Sequence, residues 1–300
     1  MRQAIETRID EALCTGCELC VKVCPTMAIE MRGDKAVVTG EHSLGCGHCA
    51  AVCPAGAITV DSIAVEPTAL ETVQVKPGYV APGQYDAGAL VRLMASRRSC
   101  RLYKDRTVPR EVLGDLVRIG QLAPSGTNSQ RWSFTVLPDR AAVIKLAEAI
   151  GDFFRMVNWV AERGAVRIAS KAVPGDPVGW YHREYHDLVV EGMRQYEDEG
   201  RDRLMHGAPA AILIGARPGA SQGREDALLA SQNILLAAHA MGLGTCLIGF
   251  AVEAMKIDPR IKKAVGLSRK EKIHSVIALG YPRIKYQRTT GRRKVEPRFL

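Results

Sequence analysis

Apolar residues recur along this chain at three different spacings. Near the start, "AIEMRGDKAVVTG" and "AITVDSIAV" carry short alternating or β-branched runs, and Gly33-Asp34 marks a turn in the first, so small strands are expected there. From Asp61 to about Tyr85 the pattern dissolves. Pro67, Pro77-Gly78 and Pro82-Gly83 interrupt any periodicity, as in a connecting arm that is partly extended. After Tyr85, "DAGALVRLMASR" reads as a helix. Pro109 starts another, in which Val112, Leu113, Leu116, Val117 and Ile119 keep helical spacing until Pro124 and Gly126 break it. Trp132, Phe134 and Val136 then alternate as a half-buried strand. The most apolar stretch, "LLASQNILLAAHAMGLGTCLIGFAV", contains Gln232, Asn233, His239 and glycines. A buried helix over roughly 225–241, apolar nearly all round, and a core strand after it account for this stretch better than a membrane span.

Composition divides the chain in the same place. Residues 1–63 carry five Lys/Arg against eight Asp/Glu, and the remainder carries 36 against 24, so an acidic module precedes a basic one. The basic excess lacks the helical stripe or aromatic interleaving of a nucleic-acid binder, and it suits an anionic cofactor or an acidic redox partner. With 300 residues there is room for two ordinary domains. The expected division is 1–63, a linker at 64–86, and 87–300. "MRQAIETRID" is polar from its start and does not resemble a signal peptide. Seven of the nine cysteines precede residue 54, which points to metal ligation rather than disulfides. The expected setting is a reducing cytoplasm, that of an anaerobe.

The cysteines fall into two runs in register. The first is Cys14-x2-Cys17-x2-Cys20-x3-Cys24-Pro25, and the second is Ser43-x2-Cys46-x2-Cys49-x3-Cys53-Pro54. Short gaps let three thiolates wrap one cluster from a single loop, and each Cys-Pro step turns the chain toward the next strand. A zinc knuckle needs only four ligands in total and leaves the second run unexplained. Residues 5–63 resemble the duplicated two-cluster bacterial ferredoxin. That resemblance implies crossed ligation, with Cys14, Cys17, Cys20 and Cys53 on one [4Fe-4S] cluster. Cys24, Cys46 and Cys49 would hold the other, with Ser43 at the missing corner. There a serine alkoxide can bind the fourth iron, the iron can be absent to leave [3Fe-4S], or His42 or His48 can swing in; a lost second cluster is the remaining possibility.

Two pieces of the second module carry chemistry. Arg97-Arg98-Ser99-Cys100-Arg101 gathers three guanidiniums and a hydroxyl, groups suited to phosphate oxygens. The segment from Ala123 to Trp132, "APSGTNSQRW", is a polar loop suited to the edge of a heterocycle. In this order, about 25 residues apart, they resemble the flavin signature of the nitroreductase superfamily over residues 87–296. Arg131 stands where that signature has proline. "GLGTCLIGF" (242–250) and the basic tail "ALGYPRIKYQRTTGRRK" (278–294) fit the same family.

The resemblance implies an α+β homodimer with a mixed sheet flanked by helices and FMN at the interface. By motif position, Arg97, Arg98, Ser99 and Arg101 hold the phosphate and the ring's polar edge. Pro124, Ser125, Gly126 and Asn128 come from the partner subunit, with Gln130 in the same loop. Ile248 and the Gly249 backbone face the flavin, near N5. Arg292 is the tail's phosphate ligand, with Arg288 and Arg293 as alternatives. Cys100 and Cys246 are assigned to packing, and Trp180, Tyr181, His182, Tyr185 or His186 to the pocket border.

A ferredoxin module moves single electrons, whereas FMN exchanges one or two. The combination reads as an FMN oxidoreductase. Its donor is a ferredoxin or NAD(P)H, its acceptor an electron-poor small molecule, and neither nucleic acid nor membrane is a partner. The alternative is a non-catalytic carrier or redox sensor. No side-chain general acid is identifiable.

Overall fold

A computed structural model of the chain describes residues 3–4, 7–40, 42–63 and 69–300. Pro67, one of the breaks expected in the arm, lies outside them. Among the described residues, the cysteine-rich part has eight short elements: β1 (Gln3–Ala4), β2 (Thr7–Ile9), α1 (Leu19–Val23), β3 (Ile29–Arg32), β4 (Lys35–Val38), β5 (His42–Ser43), α2 (His48–Val52) and β6 (Ile58–Val60). β3 and β4 form the hairpin expected around Gly33-Asp34, while β1 pairs with β5 and β2 with β6, all antiparallel. The duplication extends to the backbone. Each five-residue helix follows a left-handed residue, Glu18 (φ 60) or Gly47 (φ 72), and ends at a Cys-Pro step with nearly identical angles at Cys24 and Cys53. Cys20, Ile29, Ala36 and Ile58 are the buried residues of this small core, so few apolar groups hold it together.

Residues 69–85 contain no helix or strand. They lead into α3 (Ala87–Ser96), capped by the Asp86 carboxylate, which accepts from the Ala89 amide at 2.9 Å. α4 (Arg110–Gly120) and β7 (Trp132–Leu137) follow as the spacing predicted, and the loop between them contains a 3-10 turn (Gly126–Asn128). Next come α5 (Arg140–Ala161), α6 (Gly164–Ser170), α7 (Pro177–Glu184), α8 (His186–Glu199) and β8 (Ala210–Ala216). The chain then forms α9 (Gly223–Ala240), β9 (Gly244–Leu247), α10 (Gly249–Ile257), α11 (Pro259–Ala264) and β10 (Lys272–Gly280).

The larger sheet has the order β7-β8-β10-β9 with antiparallel pairs, and an isolated parallel bridge from Ser99 to Thr245 makes its β9 edge mixed. β8 is buried along its whole length because both sheet faces are covered by helices. Its Ala211 and Leu213 join Leu146, Ile150, Val276 and Ala278 on one face. Ile212 and Ile214 join Leu113, Leu116, Ile234 and Ile277 on the other. Strand alternation thus feeds two apolar layers from one strand. α9 differs from the expectation of a helix apolar nearly all round and buried. It buries Ala227, Ala230, Ile234, Leu235 and Ala238, while Leu228 and Leu229 stay 43% and 46% exposed. No helix among the described residues is long and apolar enough to cross a membrane.

Candidate functional site

The cysteine runs close into two hollows. One is lined by Cys14, Cys17, Cys20 and Cys53. The other is lined by Cys24, Cys46, Cys49 and Ser43, and His48 reaches it while His42 is absent from its lining. This is the crossed grouping implied above. Among the described residues, no three His, Cys, Asp or Glu side chains converge as ligands of a single ion would. Sulfurs set around a hollow suit a multi-iron cluster, whose ligands stand apart at its corners, so the donor set fits that group and not zinc.

Backbone amides point at the sulfurs. Ala28 N–H donates to Cys24 Sγ and Ala57 N–H to Cys53 Sγ, both at 3.3 Å, four residues after each cysteine. Amides at Ala36 and Gly16 draw the Cys14 thiol below its ordinary range against the effect of burial. Burial pushes Cys24 up, but the Thr26 hydroxyl and the Ala28, Thr26 and Met27 amides outweigh it, leaving a net fall. Cys20 and Cys49 go up because burial dominates. Such N–H donors favour thiolate, the form that binds iron.

A second site forms where the arginine turn meets the β9 edge. Cys100 N–H donates to Thr245 O at 2.8 Å, and the chain passes so close that a Cβ on Gly244 would stand 2.6 Å from Cys100 Cβ. The tail returns over the same turn. Arg283 N–H donates to Leu102 O at 2.9 Å, and Tyr286 Oη to Ser99 O at 3.4 Å. Arg98 spends its terminal nitrogens on Ala95 O, Arg97 O and Thr290, the last through Oγ1 at 2.8 Å, so it ties turn to tail. Arg288, Arg292 and Arg293 lie exposed on that tail. Among the described residues, Arg97, Arg98, Arg101, Arg288, Arg292 and Arg293 have no carboxylate partner. Unneutralised guanidiniums around one turn fit a phosphate dianion. Ile248 is buried, whereas Gly249 at the start of α10 is exposed, with nothing within 4 Å of where a Cβ would be, so its backbone is open to a flat ring.

Cys100 and Cys246 are buried, as their packing assignment requires, and burial pushes both thiols up. Two histidines beside this turn escaped the sequence reading. His206 is lowered by burial and then by Arg101, and His239 by burial and then by Arg97. Neither belongs to a motif; only the fold brings them to the arginines.

The 125–130 loop lies elsewhere, at the start of α9. Gly126 N–H donates to the buried Asp226 carboxylate at 2.9 Å, Gln130 N–H to Ser125 Oγ at 3.0 Å, and Arg131 Nη1 to Pro218 O at 3.0 Å. Arg131 therefore anchors the loop where the family form uses proline. Asn128 Nδ2 donates to Gly45 O at 2.9 Å and to Leu44 O at 3.4 Å, inside the second cysteine run. The structure thus joins the arginine turn, β9 and the tail in one place, and the 125–130 loop and the second hollow in another.

The helices α6, α7 and α8 pack on α5, and Tyr185 between the last two reaches α10. Tyr181 stacks on Phe154 at 6.3 Å, and Tyr185 meets Phe250 edge-on at 5.6 Å, directly after Gly249. Trp180 touches Tyr185 at 5.0 Å and remains 49% exposed. His182 and His186 stack on each other at 4.9 Å, away from this aromatic chain. Tyr181 and Tyr185 are therefore the two of the five suggested residues whose rings adjoin the Phe154–Phe250 group.

The nitroreductase family model matches residues 94–281, and a 4Fe-4S dicluster domain model matches residues 6–66. Among characterised relatives, an NADH dehydrogenase of Thermus thermophilus is 29% identical over 187 residues, covering 62% of this chain and 83% of that protein. A 4-nitrobenzoate reductase of Nocardioides is 27% identical over 239 residues, covering 71% of this chain and 87% of that protein. The FMN-bound nitroreductase structure from Bacteroides fragilis superposes with a TM-score of 0.52 at 20% identity, over 70% of this chain and 98% of that one.

Proposed function

The chain belongs to the nitroreductase family and carries a 4Fe-4S dicluster domain, and on that premise we propose an oxidoreductase in which low-potential electrons enter at the cysteine-rich domain and reach an electron-poor small molecule at the flavin site. The observation that carries this reading is the direct tie between the two sites' domains, the Asn128 amide on the Leu44 and Gly45 carbonyls. When bound, FMN supplies two-electron storage with one-electron exchange, and the clusters supply one-electron transfer.

In this reading residues 1–63 are the iron–sulfur domain, 64–86 the arm and 87–300 the FMN domain. Cys14, Cys17, Cys20 and Cys53 hold one [4Fe-4S] cluster. Cys24, Cys46 and Cys49 hold the second, [4Fe-4S] or [3Fe-4S], with Ser43 at its fourth corner. Arg97, Ser99 and Arg101, joined by Arg288, Arg292 or Arg293, hold the FMN phosphate and polar edge, while Arg98 fixes the tail beside them. Ile248 and Gly249 face the ring. Pro124, Ser125, Gly126, Asn128 and Gln130 of a second copy complete the site, since within one chain that loop does not meet the arginine turn. The exposed Leu228 and Leu229 of α9, with Val91 and Met94 of α3, favour such a homodimer. Reduced ferredoxin is the favoured donor; the name of the Thermus relative favours NADH as the second choice. A nitroaromatic acceptor fits the name of the Nocardioides relative.

The test is the iron-to-FMN ratio of protein purified without oxygen. About eight irons per flavin supports both clusters with the Ser43 corner filled, and about seven supports an open corner. About four makes the second run a relic, and absence of flavin overturns the assignment.

A further inference from the structure

The 125–130 loop is strained at the point where it touches the cysteine-rich domain. Thr127, Asn128 and Gln130 have φ of 52°, 51° and 47° without being glycine. Non-glycine residues held in that region cluster at functional contacts, and here the contact is visible. Asn128 Nδ2 grips two successive carbonyls, Leu44 O and Gly45 O, between Ser43 and Cys46. Gly45 turns both toward it by adopting φ 57°, which a side chain would disfavour.

The Leu44 carbonyl and the Gly45 amide are opposite ends of one peptide group. At the far end, Gly45 N–H donates to Ser43 Oγ at 3.1 Å. A donor in the FMN domain therefore acts through a single peptide plane on the oxygen that replaces the missing cysteine. Hydrogen bonds in such a chain polarise one another. An N–H strengthened in this way holds the Ser43 oxygen more firmly in its place on the lining of the second hollow. Among the described residues, these are the only hydrogen bonds between residues 7–63 and 69–300, and none reaches the lining of the first hollow.

We propose that Asn128 is a positioning residue for the fourth corner of the second cluster, setting the Ser43 oxygen from the FMN domain and so tuning that cluster alone. The proposal rests on the functional reading above, specifically on Ser43 as that corner. Its test uses the full-length, iron- and FMN-loaded protein and three variants. Asn128→Gly keeps the backbone angle and loses the amide; Asn128→Asp keeps the size and loses the donor; Ser43→Cys marks the cluster concerned. The readouts are the electron paramagnetic resonance signature and midpoint potential of each cluster, with deuterium exchange at the Gly45 amide. Both Asn128 variants are expected to shift the signal and potential of the cluster that Ser43→Cys alters, and to leave the other in place. Gly45 exchange should rise by up to about tenfold, because the loop that holds its N–H on Ser43 Oγ loses the Asn128 tie. Unchanged potentials at full iron content, or equal shifts in both clusters, overturn the proposal. If Ser43→Cys alters neither signal, the corner assignment itself fails and the proposal with it, while a normal iron-to-FMN ratio would leave the broader functional reading standing.

Discussion

Replacing Asp115 with alanine should release the arm that joins the two domains. Asp115 is fully buried on α4, yet it faces the arm and not the core. Its carboxylate accepts from the Glu71 amide at 2.9 Å, the Thr72 amide at 2.7 Å, the Thr72 hydroxyl at 2.6 Å and Arg118 at 2.9 Å. Burial alone would raise its pKa, but the Thr72 hydroxyl, the two amides and Arg118 more than offset this and bring it from 3.8 to about 2. Relative to an unfolded aspartate, that shift corresponds to about 2 kcal/mol at neutral pH. Deleting the side chain also strands the arm's donors, so the total cost should be about 3 kcal/mol.

The sign follows from the depressed value. The stabilisation is complete above about pH 4 and is lost as pH falls toward 2. Urea unfolding of the wild type and Asp115→Ala should therefore differ by a constant amount from pH 8 to 5, and the gap should close below pH 4. Limited proteolysis near residues 69–75 should accelerate in the variant at pH 7, where the arm has lost its anchor. A difference under about 1 kcal/mol with unchanged proteolysis would refute the reasoning, because it would mean that the clamp adds little beyond water-mediated contacts.

Two further substitutions probe the flavin side. Gly244→Ala should expel FMN, because the new methyl group meets Cys100 Cβ at 2.6 Å and Sγ at 2.7 Å and must push the arginine turn away; flavin absorbance after gel filtration reads this, and adding Cys100→Gly should restore binding. Tyr185→Ala removes the ring that meets Phe250 at 5.6 Å, and should change the ratio of kcat/KM between small and bulky nitroaromatics by up to about tenfold while FMN content stays constant. An unchanged ratio would take α7 and α8 out of the pocket.

Local chemistry was legible wherever it depended on spacing. The two cysteine runs, the Gly33-Asp34 hairpin, α3, α4 and the helix that became α9 all follow from short-range pattern. β8 escaped that reading. "AAILIGA" is uniformly apolar because both of its faces are covered, and a continuous apolar run has no period that separates strand from helix. The exposed face of α9 escaped for the opposite reason: Leu228 and Leu229 read as core, but nothing in the single chain covers them.

By itself, the sequence determined two cysteine runs in register, spaced as in a 4Fe-4S dicluster domain, and a cluster of guanidiniums ahead of α4, because residue type and spacing are local properties. Only the tertiary structure decided which thiols share a hollow, that His206 and His239 stand beside the arginine turn, and that Asn128 reaches the loop carrying Ser43. Asn128 and Gly45 are 83 residues apart, and such a meeting depends on how two separately folded units dock, which no local periodicity encodes.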